Sequence, residues 1–319
     1  EGLGVAEAMD TAQRGMGLDW PTSLELIRRT VAEARHVEGA VVFSGAGTDD
    51  VKPDAAGSID RIVDAYAAQC AAIERAGGRV ILMPSRALAA CARSADDYVH
   101  VYSRVLADVG QPVILHWLGE MFDPALAGYW LGREDRGSDP DHARAMEVCA
   151  RVIEANAAKI DGIKVSLLDA RWELELRRRL PAGVKMYTGD DFNYAELMAG
   201  DAQGHSHGLL GIFDPIAPVA AVALGALATG NVARFRELLD PTASRAFALS
   251  DHQIAHVYIS DRELLPKVRS IIEGLPGVQH VYGGDDRRAI ALDHDRSGEL
   301  IAMADARSWF TYYYWNDDR

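Results

Sequence analysis

Residues 159–168 read Lys159-Ile-Asp-Gly-Ile-Lys-Val-Ser-Leu-Leu168. This short apolar run predicts a buried β-strand, and Lys164 lies in its middle. Burial disfavours the charged form of a lysine, which lowers its pKa toward the range in which a neutral amine attacks a carbonyl. Lys164 is therefore a candidate Schiff-base nucleophile. The alternative is a lysine near a strand end whose ammonium group reaches water or a carboxylate.

Similar apolar runs recur along residues 1–240, and amphipathic helical patterns separate most of them. The predicted strands cover residues 2–8, 39–44, 79–83, 112–116, 162–167, 184–187 and 208–213. Alternating strands and helices imply a parallel sheet. Seven strands are one fewer than a (β/α)8 barrel needs, and the polar turns after them would line its active-site face. A doubly wound sheet is the competing fold, but no GxGxxG motif follows the first strand and no P-loop is present.

The last part of the chain, residues 241–319, follows a different pattern. Strands are predicted at 253–259, 277–282, 298–304 and 308–315, with a helix at 263–273. This order predicts a small α+β region rather than a further barrel repeat. The predicted domains are therefore residues 1–240 and 241–319.

Composition excludes several classes of protein. The chain has 319 residues, a formal net charge of −14 and a pI of about 5.1. Nucleic acids and anionic membranes attract basic surfaces, so neither partner is expected. No apolar run reaches the length of about 18 residues that a membrane span needs. The three cysteines form no CxxC pair, which favours reduced thiols and a cytoplasmic location.

Three stretches of residues 1–240 resemble the dihydrodipicolinate synthase and N-acetylneuraminate lyase family. Gly162-Ile-Lys-Val-Ser166 is similar to its strand-six motif, so Lys164 falls on the Schiff-base lysine. Pro112-Val-Ile-Leu-His116 is similar to the strand-five motif, and Tyr187-Thr-Gly-Asp-Asp191 to the strand-seven turn. The resemblance implies a (β/α)8 TIM barrel and a class I aldolase or lyase that acts on a small oxo acid or a sugar-derived substrate. It implies no cofactor.

The chain departs from the family pattern in three places. His116 stands where the family has a catalytic tyrosine. The family's Gly-Thr-Thr-Gly-Glu turn, which binds the substrate carboxylate, is replaced by Ala8-Met-Asp-Thr-Ala-Gln13, in which only Thr11 offers a hydroxyl. On this alignment residues 2–8 correspond to the second strand, so the barrel would lack its first strand. Unpaired strand edges would remain, and these favour homo-oligomers.

The strand ends would gather a set of polar residues at one mouth of the barrel. Lys164 would attack the carbonyl, and His116 would transfer protons, because an unperturbed histidine pKa of about 6.5 suits work near neutrality. Candidate substrate-binding residues are Thr11, Asp49, Arg86, Asp190 and Asp191. For Arg86 the alternative is a salt bridge to an aspartate, and one aspartate of the 190–191 pair would otherwise cap the following helix.

Two alternative functions remain open. A metal-dependent lyase or isomerase would hold a divalent ion with His116, His205, His207 and an aspartate, because His205 and His207 share one face of a strand. Otherwise the chain is an inactive or purely associating fusion. Residues 250–258, 292–299 and 309–315 resemble the C-terminal part of bacterial type I phosphodiesterase/nucleotide pyrophosphatase proteins, and the seam would fall near residues 237–245.

Overall fold

The computed structural model describes residues 2–9, 14, 18–52, 58–137, 141–240, 243–251 and 253–310. The chain forms two compact units, one of residues 2–210 and one from residue 211 onward. The domain boundary predicted between residues 240 and 241 lies within the second unit, and it stays a prediction. The two units are taken separately below.

The first unit is built on one parallel sheet whose seven strands lie side by side in chain order. The strands are β1 (Val5–Glu7), β2 (Val42–Ala46), β3 (Arg79–Leu82), β4 (Val113–Leu118), β5 (Ile160–Ser166), β6 (Lys185–Thr188) and β7 (His207–Gly208). The helices are α1 (Trp20–Ala34), α2 (Ile59–Ala76), α3 (Arg86–Cys91), α4 (Ala95–Asp108), α5 (His142–Ala155), α6 (Ala170–Arg177) and α7 (Tyr194–Ala199). This sheet is a half-barrel, and it confirms the predicted α/β, TIM-barrel-like class.

The sheet stays open between its first and last strands. Within the described ranges, β1 pairs only with β2 and β7 pairs only with β6. The last strand is also shorter than predicted, since residues 208–213 were expected to form it and only His207–Gly208 do. Gly211–Ile216 form a 3-10 helix instead.

The two faces of the sheet carry different apolar layers. The outer layer lies between the strands and the helices, and it includes Leu115, Ile163 and Val165, all at most 2% exposed. Burying each such side chain contributes about 1.5–3 kcal/mol. The inner layer is small, with Ile81 and Ile114 at its centre. The interior of the half-barrel therefore has room for polar groups.

A β-bulge in β5 decides which of its residues face inward. Val113 pairs with Ile160, but the next residue of β4, Ile114, pairs with Gly162. Asp161 is thus the extra residue of a bulge, which shifts the in-and-out alternation of the strand by one. From Gly162 onward, every second residue of β5 points into the half-barrel.

The bulge aims the Asp161 carboxylate at a polar cluster near the amino-terminal ends of the strands. The Tyr187 hydroxyl donates to Asp161 Oδ2 (2.6 Å), and Lys185 Nζ (3.1 Å) and Arg79 Nη2 (3.3 Å) lie close to Oδ1. The Arg79 guanidinium also stacks over the Phe43 ring at 4.3 Å. Burial opposes ionisation of Asp161, but these hydrogen bonds and charges lower its pKa overall. This cluster stabilises the end of the barrel away from the predicted site.

The second unit contains a helical hairpin and an antiparallel sheet. The helices are α8 (Ala217–Ala228), α9 (Val232–Leu239) and α10 (Leu265–Glu273), and the strands are β8 (Ala246–Asp251), β9 (Ile254–Ile259), β10 (Val278–Gly283) and β11 (Leu300–Ala304). The strand order is β10-β11-β9-β8. Leu265, Val268 and Ile272 of α10 pack on one face of this sheet. The predicted α+β region is confirmed.

Two details of the tail differ from the sequence prediction. The strand β8 was not predicted, although it forms a hairpin with β9. The strand predicted at 308–315 is wrong for residues 308–310, which lie outside any strand, and residues 311–315 lie outside the described residues. Among the described helices of both units, none is long and apolar enough to cross a membrane.

Candidate active site

Lys164 lies on the inner face of β5, opposite two other polar side chains. In the strand register it is paired with His116 of β4 and with Tyr187 of β6. Its side chain is half-buried, and Nζ lies 3.9 Å from Met9 Sδ. Lys164 is thus inside the half-barrel but still reached by solvent. This position is intermediate between the buried nucleophile and the water-exposed ammonium group that the sequence left open.

Gly189 lets the turn after β6 lie directly against Lys164. A Cβ atom at this position would be 2.2 Å from Ser166 Oγ and 2.5 Å from Lys164 Cε, far closer than packed atoms allow. The Gly189 amide also donates to the carbonyl of Val165 (2.8 Å). Because Gly189 has no side chain, the turn can pack directly against Lys164 and Ser166.

His116 is buried beside Lys164 and contacts a serine. Its Nε2 is 3.3 Å from Ser166 Oγ, and its Nδ1 has no hydrogen-bond partner in the described part of the chain. Burial, and then the nearby charge of Lys164, lower the pKa of His116 well below its ordinary value. The sequence analysis assumed an unperturbed histidine; the site instead favours a neutral imidazole, which can accept a proton from Ser166 or donate one, depending on its tautomer.

Ser166 is a site residue that the sequence analysis missed. It lies two residues after Lys164 on the same strand, so both side chains point to the same face of the sheet. Its hydroxyl is 3% exposed and reaches His116 as well as the space above Gly189. The strand period of two was a sufficient signal to find it.

The two aspartates after Gly189 have different environments. Asp190 is buried, and its carboxylate accepts hydrogen bonds from the amides of Phe192 (2.9 Å) and Asn193 (3.0 Å) and from Asn193 Nδ2 (2.8 Å). It stabilises the turn before α7 but does not cap that helix, whose N-cap residue is Asn193. The substrate-binding role of Asp190 stays a prediction. Asp191 is exposed. Desolvation raises the pKa of Asp191, the charge of Lys164 lowers it, and the charge of Asp190 raises it, with a net upward shift.

A buried glutamate of the neighbouring helix is linked to this turn by hydrogen bonds. Nothing in the sequence distinguished it from an exposed helix residue. Glu173 of α6 is 2% exposed and accepts a hydrogen bond from Ser206 Oγ (2.7 Å). Burial raises its pKa to about 7, although hydrogen bonds from Ser206 and Thr188 oppose the shift. Thr188 Oγ1 accepts in turn from the Asp190 amide (3.2 Å). Glu173 is thus linked through Thr188 to the turn at Lys164.

We expect Glu173 to make the stability of the first unit depend on pH. Because its pKa is raised on folding, the protonated form contributes stability that is fully present below about pH 4.5 and is lost as the pH rises through about 7. A shift of this size corresponds to about 3 kcal/mol. Glu173→Gln should remove this dependence and stabilise the protein above pH 7. Denaturant unfolding at pH 5 and pH 8 measures how the free energy of unfolding depends on pH. The control is Glu175→Gln, a change at a more exposed glutamate of α6. An unchanged pH dependence in Glu173→Gln would contradict the assignment.

Arg86 and Asp49 are both held in ion pairs. Arg86 Nε lies 2.5 Å from Oδ2 of the buried Asp123, as the salt-bridge alternative described. Asp49 accepts hydrogen bonds from Nε and Nη2 of the buried Arg14 guanidinium, with Nη2 2.6 Å from its Oδ1. The sequence analysis missed Arg14 because nothing in the pattern marked it as buried. The substrate-binding roles of Asp49 and Arg86 stay predictions, and Thr11 lies outside the described residues.

The histidines of the metal hypothesis lie next to each other at the edge of the sheet. The rings of His205 and His207 are 5.1 Å apart, and His207 is paired with Tyr187 in the strand register. In the part of the chain that the structure describes, no group of three His, Cys, Asp or Glu side chains is placed to hold a metal ion. The metal-dependent alternative stays a prediction.

Comparison with known families places the chain. Residues 1–253 match the model of a family described as protein of unknown function (DUF993). The chain belongs to this family. The match continues past residue 240, where the domain boundary was predicted. No curated protein matches the chain.

Solved structures of the dihydrodipicolinate synthase family share the fold of the DUF993 chain. The chloride-inhibited enzyme of Acinetobacter baumannii in complex with pyruvate is 18% identical, with a TM-score of 0.53 over 76% of this chain and 70% of that one. The Aquifex aeolicus enzyme is 13% identical, with a TM-score of 0.51 over 74% and 67%. A family member from an Escherichia coli K12 prophage, also in complex with pyruvate, is 13% identical, with a TM-score of 0.52 over 75% and 70%. At these identities the likeness shows the fold alone. None of these comparisons supports the phosphodiesterase resemblance of the tail.

Proposed function

We propose that this chain is a class I aldolase- or lyase-type enzyme in which Lys164 forms a Schiff base with a carbonyl substrate. The observation that carries the proposal is the position of Lys164: inside a half-barrel of the dihydrodipicolinate synthase type, half-buried, with the His116–Ser166 pair alongside. An amine with a proton acceptor and a hydroxyl nearby are the groups that imine formation needs.

The chemistry uses each of these groups. The neutral amine of Lys164 adds to the carbonyl carbon, and a proton moves from nitrogen to oxygen to give the carbinolamine. Loss of the oxygen as water, with a second proton, leaves the imine. His116 is kept neutral by burial and by Lys164, so it can accept the proton that nitrogen loses. The Ser166 hydroxyl contacts this imidazole and, like the Lys164 side chain, lies against Gly189, so it would relay the proton. No organic cofactor is required.

Two of the structural neighbours hold pyruvate, which supports a small carbonyl compound as the substrate class. The proposal is tested by oxygen exchange. An enzyme that forms and hydrolyses an imine replaces the carbonyl oxygen of its substrate with oxygen from water. Incubating the protein with a panel of 18O-labelled small oxo acids and sugars should therefore release the label faster than buffer alone. A folded protein that accelerates exchange for no member of a broad panel would contradict the proposal.

Ser166→Ala is expected to slow the exchange about 10- to 100-fold, the usual contribution of a proton-transfer group. The hydroxyl is the only part of the side chain that is lost, and it is the part that contacts His116. Rates measured between pH 5 and 9 separate a relay from a packing role, because loss of a relay should change the pH profile. Ser44→Ala is a matched control, since Ser44 is a buried barrel serine whose hydroxyl has no partner among the described residues. Equal rates in the two variants would rule out the relay.

A further inference from the structure

The charges around Lys164 suggest which carbonyl compounds the site accepts. The loops after β2, β4 and β6 follow the carboxyl ends of the strands, where Lys164 points. Their described residues carry nine carboxylates, against three cationic side chains (Lys52, Arg133 and Arg136): Asp49, Asp50, Glu120, Asp123, Glu134, Asp135, Asp141, Asp190 and Asp191. A substrate with its own carboxylate would enter a region that is already rich in negative charge.

The guanidinium of the buried arginine in this region already donates its hydrogen bonds to groups of the protein. Arg14 Nη1 donates to the carbonyls of Ala8 (3.2 Å) and Gly45 (2.5 Å). Its Nη2 donates to Gln69 Oε1 (2.8 Å) and to Asp49. Turning this guanidinium toward a substrate would leave Asp49 and two backbone carbonyls without their partner, which is strongly unfavourable.

The charge of the second arginine, Arg86, is neutralised by a buried carboxylate in an ion pair. Asp123 is only 6% exposed, and Arg86 is its ion-pair partner. Burial makes this pair costly to break, because the aspartate would remain as an uncompensated buried charge. Neither arginine therefore offers an uncompensated positive charge to a substrate carboxylate.

Asp191 is an exposed carboxylate close enough to Lys164 for the two charges to interact. It lies two residues after Gly189, whose Cα is held against the Lys164 side chain. Two negative charges this close repel each other in a partly solvated site, which disfavours binding of a carboxylate about fivefold. A hydroxyl, in contrast, donates to a carboxylate and is attracted.

We propose that the site accepts uncharged hydroxylated aldehydes and ketones in preference to oxo acids. This inference rests on the proposed function, because it assumes imine formation at Lys164. The preference concerns the group next to the reacting carbonyl: a hydroxymethyl group would be favoured over a carboxylate. The bond changes are the same for both, with nitrogen–carbon bond formation and loss of the oxygen as water.

Hydroxyacetone and pyruvate are the matched probes, since they differ only by a hydroxymethyl group in place of the carboxylate. Each is incubated with the protein and borohydride, and the adduct on Lys164 is followed by peptide mass spectrometry. Rates are divided by those of Nα-acetyllysine, which corrects for the intrinsic reactivity of each ketone. We expect a preference of about tenfold for hydroxyacetone. The variant Asp191→Asn should shift the ratio at least about fivefold toward pyruvate, as loss of one repulsive charge predicts.

Asp108→Asn is the control variant. It makes the same charge change on an exposed residue, but Asp108 ends α4 and lies at the opposite end of the strands. Its ratio should equal that of the parent. A corrected preference for pyruvate, or an Asp191→Asn ratio equal to that of the parent, would overturn the inference alone. No adduct with either ketone on a folded protein would overturn the imine chemistry, and this inference with it.

Discussion

Lys164→Ala is expected to reduce carbonyl oxygen exchange and borohydride trapping at least about a thousandfold, because the variant lacks the amine that we propose as the nucleophile. Stability should change little, since Lys164 is half-buried and the loss of its side-chain contacts, including that of Nζ with Met9, would cost about 1 kcal/mol. Thermal melts should confirm that the variant folds. Lys185→Ala is the control: Lys185 is on the adjacent strand but binds Asp161 near the other end of the barrel.

Chemical rescue separates a missing nucleophile from a damaged site. Lys164→Cys treated with 2-bromoethylamine regains an amine at nearly the position of the lysine, and a substantial part of the exchange rate should return. The native thiols should react slowly, because burial raises the pKa of Cys70 to about 12 and also raises the pKa values of Cys91 and Cys149. Alkylated parent protein controls for them. Full exchange in Lys164→Ala would rule out Lys164 as the nucleophile.

Gly189→Ala is expected to reduce trapping about a hundredfold or more while the chain still folds. The new methyl group would overlap Ser166 Oγ and Lys164 Cε, so the turn or the lysine must move. The lysine tip is flexible and would be displaced first, away from the His116–Ser166 pair. We expect a stability cost of about 1–3 kcal/mol, as for other overpacked sites.

Gly225→Ala provides the matched control for this variant. Gly225 lies in α8, where an added methyl group meets no atom within 4 Å. The change there should leave trapping unaltered and stabilise the helix slightly. A Gly189→Ala protein that traps substrate at the parental rate would mean that the contact between the turn and Lys164 has no role in the chemistry.

The sequence was sufficient for features that depend on local pattern. Apolar runs bounded by polar turns located all seven strands of the half-barrel, and alternation with helices predicted that they are parallel. Lys164 was found because a lysine inside an apolar strand is costly. Ser166 could have been found by the same reasoning, because it faces the same way as Lys164.

Features that depend on register between strands could not be read from the chain. Burial lowers the pKa of His116, and so does the charge of Lys164, which lies opposite because of the way β4 pairs with β5. The position of Asp161 depends on a bulge that is visible only in the pairing with β4. A residue's charge partner likewise emerges only in three dimensions: Asp49 is bound by Arg14 and Arg86 by Asp123, each far away in sequence.

Borohydride reduction followed by peptide mapping tests the central claim most directly. The chain has only five lysines, Lys52, Lys159, Lys164, Lys185 and Lys267, so each can be assigned. We predict a single reduced adduct, confined to the peptide that contains Lys164, when the protein is incubated with hydroxyacetone or another accepted carbonyl compound. A folded sample with no adduct, or with adducts spread over the other four lysines as heavily as over Lys164, would contradict the claim that this residue forms the Schiff base.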